Sequence, residues 1–212
     1  MPLQATRPLT YLISSGATTA DTTPTSSAFS NILQLVEAAV NARIDLLQIR
    51  EKQLTTRVLF ELLSRAAGMC GGSSTRLLVN DRADVAVAAG ADGVHLTSQS
   101  LGAGVVREAF GTELLIGVST HTVEEVVNAE TAGADFVVFG PVYETAGKSG
   151  LGIEALRSAA NAASGLPVIA LGGISVERVS ECLTAGAAGV AAIRMFTDAT
   201  KLRDIVEQIR NG

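Results

Sequence analysis

The sequence predicts a single α/β domain, a (β/α)8 (TIM) barrel that spans residues 1–212. Short apolar segments rich in β-branched residues recur eight times along the chain, and segments with helical periodicity lie between them. The short segments are almost continuously hydrophobic, which is typical of parallel strands covered on both faces. A barrel uses all of these segments, whereas an open flavodoxin-like sheet of about five or six strands would leave some unexplained.

The predicted strands and helices follow one another in the order expected of repeated βα units. The strands are 9–14 (LTYLIS), 46–50 (LLQIR), 77–80 (LLVN), 93–96 (GVHL), 115–120 (LIGVST), 136–140 (FVVFG), 167–172 (PVIALG) and 189–194 (GVAAIR). The helices with the clearest pattern are 29–42, 56–68, 122–133 and 175–186. The last two begin with a Thr or Ser cap, carry Glu in the first turn and stop at Gly, as helices commonly do.

A weak internal repeat supports the barrel. AGADGVHL, AGADFVVFG and AGAAGVAAI begin at residues 89, 132 and 185, and each joins the end of a predicted helix to the next strand. Their spacing corresponds to one or two βα units and not to the fixed period of a solenoid.

One segment of low complexity, SSGATTADTTPTSS at 14–27, follows the first predicted strand. Long loops of this kind are functional lids in some proteins and disordered segments in others. The sequence alone favours neither interpretation.

The charge balance and the cysteines exclude several classes of protein. With 16 basic and 21 acidic residues the net charge is −5, which argues against nucleic acid or an anionic membrane as the main partner. The chain shows no apolar stretch of transmembrane length and no signal-peptide pattern at its start. Cys70 and Cys182 match no metal spacing and indicate small buried side chains in a reducing compartment. We therefore expect a cytoplasmic protein. The sequence does not determine its oligomeric state, and a homo-oligomer is one of the options.

Polar side chains follow most of the predicted strands, at the end where barrel enzymes place their active sites. Four of these side chains are cationic and only one is an obvious acid, so the set indicates an anionic ligand with more than one phosphate. The residues are Gln48, Arg50, Lys52, Asn80, Asp81, Ser119, His121, Thr145, Lys148, Gly172, Gly173 and Arg194.

Several of these positions allow two interpretations. The glycine pair at 172–173 precedes a predicted helix and either brings backbone N–H groups to a phosphate or forms a tight turn. Gln48 and Arg50 alternate along one strand and should both face the barrel mouth, where they bind a ligand or each other. His95 lies mid-strand and indicates a buried, hydrogen-bonded core residue. His121 lies at a strand end and is either a catalytic group or a residue bonded to the backbone where a helix starts.

Four segments in a consistent order resemble the thiamine phosphate synthase family, whose superfamily includes a thiazole tautomerase branch. They are LLQIREKQL, LLVNDRADVAVAAGADGVHL, IGVSTHTVEEVVNAETAGADFVVFGPVYET with a following lysine, and PVIALGGI, and they span about residues 44–196. The resemblance implies a (β/α)8 barrel that joins hydroxymethylpyrimidine pyrophosphate to thiazole phosphate and releases pyrophosphate. It also implies Mg²⁺, which with basic groups draws off the pyrophosphate. A pyrimidine-methyl cation then forms, and the thiazole nitrogen captures it.

The resemblance assigns a role to each matching position. Gln48 and Ser119 would contact the pyrimidine, and Asp81 would bind Mg²⁺. The residues that would hold the pyrophosphate are Arg50, Lys52, Asn80 and Lys148. Those that would seat the thiazole phosphate are Thr145, Gly173, Ile193 and Arg194. The residues expected to act in catalysis are Arg50, Lys52, Ser119 and Lys148.

Three positions depart from the synthase pattern. Ser100 stands where the synthases have a second acidic Mg²⁺ ligand, so one carboxylate is missing from the predicted site. Gly147 replaces the second of two threonines before the lysine, and Arg194 replaces a serine, where it either binds phosphate or blocks the site. The tautomerase branch is not matched either, because its catalytic histidine would follow Gly140 and this chain has Pro141 there.

Three functions follow in order of preference. The first is a thiamine phosphate synthase, a transferase, with weakened Mg²⁺ binding. The second is a thiazole tautomerase-like isomerase of the same pathway, which needs no Mg²⁺ and would move a proton through His121 or another group. The third is a non-catalytic phosphate-ligand-binding protein.

Overall fold

Strands and helices alternate through the computed structural model, which describes residue 3 and residues 7–211. The strands are β1 Leu9–Ile13, β2 Leu46–Ile49, β3 Arg76–Asn80, β4 Gly93–Leu96, β5 Leu115–Thr120, β6 Phe136–Phe139, β7 Val168–Leu171 and β8 Gly189–Ala192. The α-helices are α1 Ser27–Asn41, α2 Thr56–Cys70, α3 Ala83–Ala89, α4 Ala103–Phe110, α5 Val123–Thr131, α6 Ile153–Ala162, α7 Val176–Thr184 and α8 Leu202–Asn211. A short 3-10 helix covers Arg194–Phe196.

The strands form one closed parallel barrel in which each strand pairs with the next along the chain. β8 completes the circle by pairing with β1, with Leu9 opposite Gly189. The predicted (β/α)8 barrel is confirmed, and every predicted strand coincides with an observed one. The largest difference is at the last strand, which ends at Ala192 and not at Arg194. The backbone of Ile193 turns to φ −94 and ψ −66 and starts the 3-10 helix there.

The helices cover the outer face of the barrel. Thr122 caps α5 as predicted, because its hydroxyl accepts from the Glu125 N–H while the Glu125 side chain bonds back to the N-cap backbone. Ser175 lies at the N-cap of α7, but its side chain makes no capping hydrogen bond. Cys70 and Cys182 are buried in α2 and α7 as free thiols, in agreement with the sequence. Within the described residues, no helix has the length and apolar character needed to cross a membrane.

Apolar side chains fill the barrel interior, separate from the larger layer between strands and helices. Tyr11, Phe136 and Ile169 of this inner cluster are completely buried. The Tyr11 ring meets the Phe136 ring edge-on, with 5.8 Å between their centroids. Gly117 makes room for this packing, since a Cβ at that position would lie 2.3 Å from the Phe136 ring.

A polar network around Asp45 closes the amino-terminal end of the barrel. The Asp45 carboxylate accepts hydrogen bonds from the Thr10 backbone N–H at 2.9 Å and the Thr10 hydroxyl at 2.8 Å. The guanidinium groups of Arg7, at 2.7 Å, and of Arg210 in α8, at 3.3 Å, add ion pairs. Protein groups therefore balance the Asp45 carboxylate at this end, and ligands of such barrels bind at the opposite, carboxyl end.

Gly117→Ala should lower the free energy of unfolding by about 1–3 kcal/mol, because the added methyl group overpacks against Phe136. Chemical denaturation of the variant and the wild type measures the difference. Gly104→Ala in α4 is the matched control, since the nearest atom to its Cβ is the Ala132 carbonyl oxygen at 3.8 Å. The control should be at least as stable as the wild type. A Gly117→Ala protein of wild-type stability would contradict this account of the interior.

Candidate active site

β2 brings the first of the predicted ligand-binding side chains to the barrel mouth. Leu46 belongs to the inner cluster and Leu47 to the outer one, so alternation points Gln48 inward. Gln48 is 1% exposed, and its Nε2 donor has no partner among the described residues. Arg50 is partly exposed just beyond the strand, and Lys52 is exposed. Because an unpaired buried amide destabilises the protein, Gln48 is suited to bind a ligand group.

The ends of β3 and β4 meet through Asp81 and Ser100. The Ser100 hydroxyl donates to Asp81 Oδ1, and the Asn80 side-chain amide donates to Asp81 Oδ2 at 2.5 Å. Asp81 holds the left-handed conformation, with φ +63, and its N–H donates to the His95 carbonyl at 3.1 Å. Asn80 is 8% exposed, and its Oδ1 acceptor is buried without a partner in the described part of the chain. The predicted juxtaposition of Asp81 and Ser100 is therefore observed.

The donor set at Asp81 fits a Mg²⁺ ion only if substrate oxygens complete its coordination. Residues 3 and 7–211 contain no group of three His, Cys, Asp or Glu side chains that could hold a metal. Mg²⁺ prefers oxygen ligands and commonly takes one or two carboxylates together with substrate phosphates. The Asp81 carboxylate and the unpaired Asn80 Oδ1 are oxygen ligands of this kind.

His95 lies in the interior below the mouth, and both of its ring nitrogens are hydrogen-bonded. Nδ1 is 3.0 Å from the Tyr11 hydroxyl, and Nε2 is 2.8 Å from the Ser119 hydroxyl. Burial lowers the pKa of His95 to about 4, while Asp81 raises this pKa and Arg50 lowers it further. His95 is therefore neutral at neutral pH and occupies the buried, hydrogen-bonded position that the sequence predicts.

His121 lies at the mouth, with its groups bonded to the neighbouring backbone and to α5. Its Nδ1 donates to the Gly140 carbonyl, and its backbone N–H donates to the Glu125 carboxylate. These contacts correspond to the second interpretation of His121, a residue bonded to the backbone where a helix starts.

The loop between β6 and α6 carries Thr145 and Lys148 on a tight hairpin. Their backbone N–H and C=O groups pair reciprocally, each at 3.0 Å. Gly147, the third residue of the turn, has φ +80, a left-handed conformation that favours glycine. Backbone geometry therefore accounts for glycine where the synthase pattern has threonine. Thr145 is partly exposed and Lys148 exposed, so both side chains are accessible to a ligand.

Gly172 and Gly173 form a turn packed tightly against the same loop. Their φ angles are +98 and +65, and a Cβ on Gly173 would lie 2.7 Å from the Cβ of Tyr143. The Arg178 guanidinium donates to the Gly173 carbonyl at 2.8 Å and lies 4.3 Å from the centre of the Tyr143 ring. The turn itself requires glycine, and it leads into the N-terminus of α7, where a phosphate is favourable.

Ile193 and Arg194 follow β8 at the same end of the barrel. Ile193 is partly buried against the inner cluster, and Arg194 is exposed at the start of the 3-10 helix. The Arg194 carbonyl accepts from the Thr197 hydroxyl at 2.8 Å, which holds this turn together.

Glu51 is a site residue that the sequence did not identify. It is 4% exposed, and its carboxylate accepts from the Ser14 hydroxyl at 2.6 Å, the Gly16 N–H at 3.0 Å, the Thr18 N–H at 3.0 Å and the Thr18 hydroxyl at 2.7 Å. The start of loop 14–27 is thereby fixed beside Arg50. Two features of the sequence point to this contact. Glu51 lies between the cationic residues Arg50 and Lys52, and loop 14–27 is rich in hydroxyl groups.

Comparison with known proteins decides the family. The family model described as thiamine monophosphate synthase matches residues 21–196. The chain belongs to this family. The resemblance indicated by the sequence motifs is thus confirmed.

Individual relatives match this chain over most of their own length. A thiamine-phosphate synthase of Chlorobium phaeobacteroides is 38% identical over 168 residues, which cover 77% of this chain and 81% of that protein. A thiamine-phosphate synthase of Natronomonas pharaonis is 34% identical and covers 86% of this chain and 91% of its own. A solved structure of thiamine phosphate pyrophosphorylase from Pyrococcus furiosus superposes with a TM-score of 0.78 and 28% identity, covering 95% of this chain and 96% of that one.

Glu51→Gln should loosen the start of loop 14–27, because an amide replaces one oxygen that now accepts two hydrogen bonds. A hydrogen bond to a charged group contributes about 1.5–3 kcal/mol, so amide hydrogen exchange at Gly16 and Thr18 should accelerate about tenfold or more. Glu61→Gln is the control, since among residues 7–211 the Glu61 carboxylate pairs with the exposed side chain of Arg65 on α2. Unchanged exchange at Gly16 and Thr18 in Glu51→Gln would show that other contacts hold the loop.

Proposed function

We propose that the chain is a thiamine-phosphate synthase, a transferase that joins hydroxymethylpyrimidine pyrophosphate to thiazole phosphate. The observation that carries the proposal is that the matching residues of β2, β3 and β5 and of the segments after β6, β7 and β8 share one end of the barrel. In the reaction, the C–O bond to pyrophosphate breaks and its electron pair leaves with the pyrophosphate. A C–N bond then forms from the lone pair of the thiazole nitrogen.

The leaving pyrophosphate needs positive charge where its own negative charge develops. Arg50 and Lys52 beyond β2 and Lys148 on the β6–α6 hairpin supply fixed cations at the mouth, and Asn80 adds an amide. Mg²⁺ would be held by Asp81 together with pyrophosphate oxygens, and it would neutralise charge on the leaving group.

Gln48 and Ser119 orient the pyrimidine. The unpaired Gln48 Nε2 supports this role, because an acceptor such as a pyrimidine ring nitrogen would satisfy it. Apart from the Tyr11 hydroxyl and the His95 ring, the interior beneath these two residues is lined by apolar side chains, Phe136 among them. An apolar floor limits the access of water, which would otherwise capture the pyrimidine-methyl cation before the thiazole does.

The thiazole phosphate is bound where β7 and β8 end. Gly173 lies on the turn that leads into the N-terminus of α7, and Thr145 lies on the neighbouring hairpin. Ile193 and Arg194 provide backbone at the adjacent strand end. Arg194 adds a cation where the synthase pattern has serine, so it would bind the phosphate directly.

One observation favours the two alternative functions, an isomerase and a non-catalytic binding protein. Ser100 stands where the synthases have a second acidic Mg²⁺ ligand. Against a thiazole tautomerase-like isomerase, Pro141 occupies the position of that branch's histidine. In addition, the His121 Nδ1 already donates to the Gly140 carbonyl. A non-catalytic phosphate-ligand-binding protein would keep the cations but form no product.

We also propose a cytoplasmic location, which the composition predicts. The partners are the small phosphorylated pyrimidine and thiazole substrates that the resemblance implies. A homo-oligomer stays a prediction from the sequence.

The purified protein, mixed with both substrates and increasing Mg²⁺, should form thiamine phosphate. Asp81→Asn should lower kcat/KM about a hundredfold or more, because it removes the carboxylate that would hold the metal against the leaving group. Asp84→Asn is the matched control and should keep activity, since Asp84 is exposed in the first turn of α3 and pairs with Arg82. Failure of the wild type to form product at any Mg²⁺ concentration would refute the synthase assignment.

Ser100→Asp should restore an acid pair at Asp81 and reduce the Mg²⁺ concentration needed for half-maximal activity. Without metal, the adjacent carboxylates repel each other, so Mg²⁺ should raise the Tm of this variant more than that of the wild type. Ser100→Ala is the control, because it removes the hydrogen bond to Asp81 without adding charge. If Ser100→Asp keeps the wild-type metal dependence in both measurements, the metal is not bound between these strands.

A further inference from the structure

A row of three polar side chains crosses the barrel interior from β1 through β4 to β5. It consists of Tyr11, His95 and Ser119, joined by the hydrogen bonds at the two His95 ring nitrogens. Tyr11 is 0% and His95 4% exposed, so the row is shielded from water until it reaches Ser119, which is partly exposed at the mouth. The proposed function uses Ser119 and gives no role to the other two.

The first hydrogen bond of the row runs in one direction only. The Tyr11 ring packs against Phe136, and within the described residues the Tyr11 hydroxyl has His95 Nδ1 as its polar partner. Burial raises the pKa of this phenol, so the oxygen keeps its hydrogen. A buried O–H group requires an acceptor, and therefore Tyr11 donates while Nδ1 accepts.

The second hydrogen bond follows from the acceptor role of Nδ1, because an imidazole with one bare ring nitrogen is the neutral form. A neutral imidazole has one donor and one acceptor nitrogen. Because Nδ1 accepts, Nε2 carries the hydrogen and donates it to Ser119 Oγ. The hydroxyl hydrogen of Ser119 is then left to donate towards the barrel mouth.

We propose that Tyr11 and His95 are positioning residues that make Ser119 a hydrogen-bond donor towards the ligand, and that the ligand atom opposite Ser119 is an acceptor. Under the proposed function, on which this last step rests, the acceptor is a ring nitrogen of the aminopyrimidine and not its amino group. A neutral row also suits a reaction that forms a pyrimidine-methyl cation, because a positive charge on His95 would repel that cation.

Nitrogen-15 NMR of the imidazole groups reports the His95 tautomer without any substrate. The chain has 2 histidines, so a His121→Gln variant assigns the signals. We expect His95 to carry its proton on Nε2 and to have a bare Nδ1 at neutral pH. A proton on Nδ1 would overturn the proposal, whether or not the protein makes thiamine phosphate.

Tyr11→Phe keeps the ring but removes the donor, so both His95 tautomers should become populated. The chain has 2 tyrosines, and Tyr143→Phe is the matched control. It removes a phenol that donates to Glu181 at 2.6 Å, outside the row, and should leave the His95 tautomer unchanged. Thermal unfolding verifies that Tyr11→Phe is folded. A single, wild-type tautomer in folded Tyr11→Phe would remove Tyr11 from the proposed role.

Kinetics test the step from the row to the ligand. Ser119→Ala should raise the KM for the pyrimidine pyrophosphate about three- to tenfold, the contribution of one neutral hydrogen bond, and leave the KM for thiazole phosphate unchanged. Tyr11→Phe should raise the same KM. The double variant should be no worse than Ser119→Ala alone, because Tyr11 acts through Ser119. Effects that multiply would indicate a general packing role and overturn the positioning role.

Two substrate analogues, each with one ring nitrogen replaced by C–H, identify the acceptor. One analogue should bind the wild type more weakly than the substrate does, by the same factor by which Ser119→Ala weakens binding of the substrate. The same analogue should bind Ser119→Ala as well as it binds the wild type. If both analogues weaken binding equally in the two proteins, Ser119 does not donate to a ring nitrogen. The NMR result would still stand, so failure of this step is distinguishable from failure of the row.

Discussion

Closure of the barrel by the β1–β8 pairing removes the interior from water, and this constraint governs every polar group placed inside. A buried polar atom without a partner costs about 1–3 kcal/mol. Tyr11, His95 and Ser119 avoid that cost by binding one another across three strands. Gln48 and Asn80 do not, since each keeps one unpaired buried amide atom near the mouth. A ligand that bonds to these two atoms would gain most, because it would remove the cost of leaving them unpaired.

The two ends of the barrel differ in how they treat a carboxylate. At the amino end, Asp45 receives hydrogen bonds from Thr10 and ion pairs from Arg7 and Arg210, so its charge is balanced by the protein. At the carboxyl end, the donors to Asp81 are the neutral side chains of Asn80 and Ser100. The Asp81 charge is therefore available to a cation from outside, and the left-handed backbone at φ +63 turns this residue away from the strand. The carboxylate at the amino end thus stabilises the fold, whereas the carboxylate at the carboxyl end is free to bind a cation.

The sequence predicts those features that depend on short-range periodicity. Strand alternation places Gln48 correctly, and a polar residue in the middle of an apolar strand identifies His95 as buried. Contacts between distant segments are not predictable in this way. Glu51 binds loop residues 33 to 37 positions away, and Tyr11 lies 84 positions from His95, so neither partner is encoded in a local pattern. The apolar neighbours of Arg194 predict a strand there, but the backbone turns at Ile193 before reaching it.

The three departures from the synthase pattern have separate physical origins, and only one of them changes the proposed Mg²⁺ ligands. Gly147 follows from a turn that needs positive φ, and Arg194 adds a cation beyond the strand where phosphate is expected. Ser100 alone changes the charge next to Asp81, from two carboxylates to one. A Mg²⁺ ion that arrives with pyrophosphate brings phosphate oxygens as ligands and needs fewer from the protein. Under the proposed function, loss of the second acid would therefore weaken binding of the free ion far more than binding of the metal–pyrophosphate pair. A single carboxylate would thus make metal binding depend on the presence of substrate.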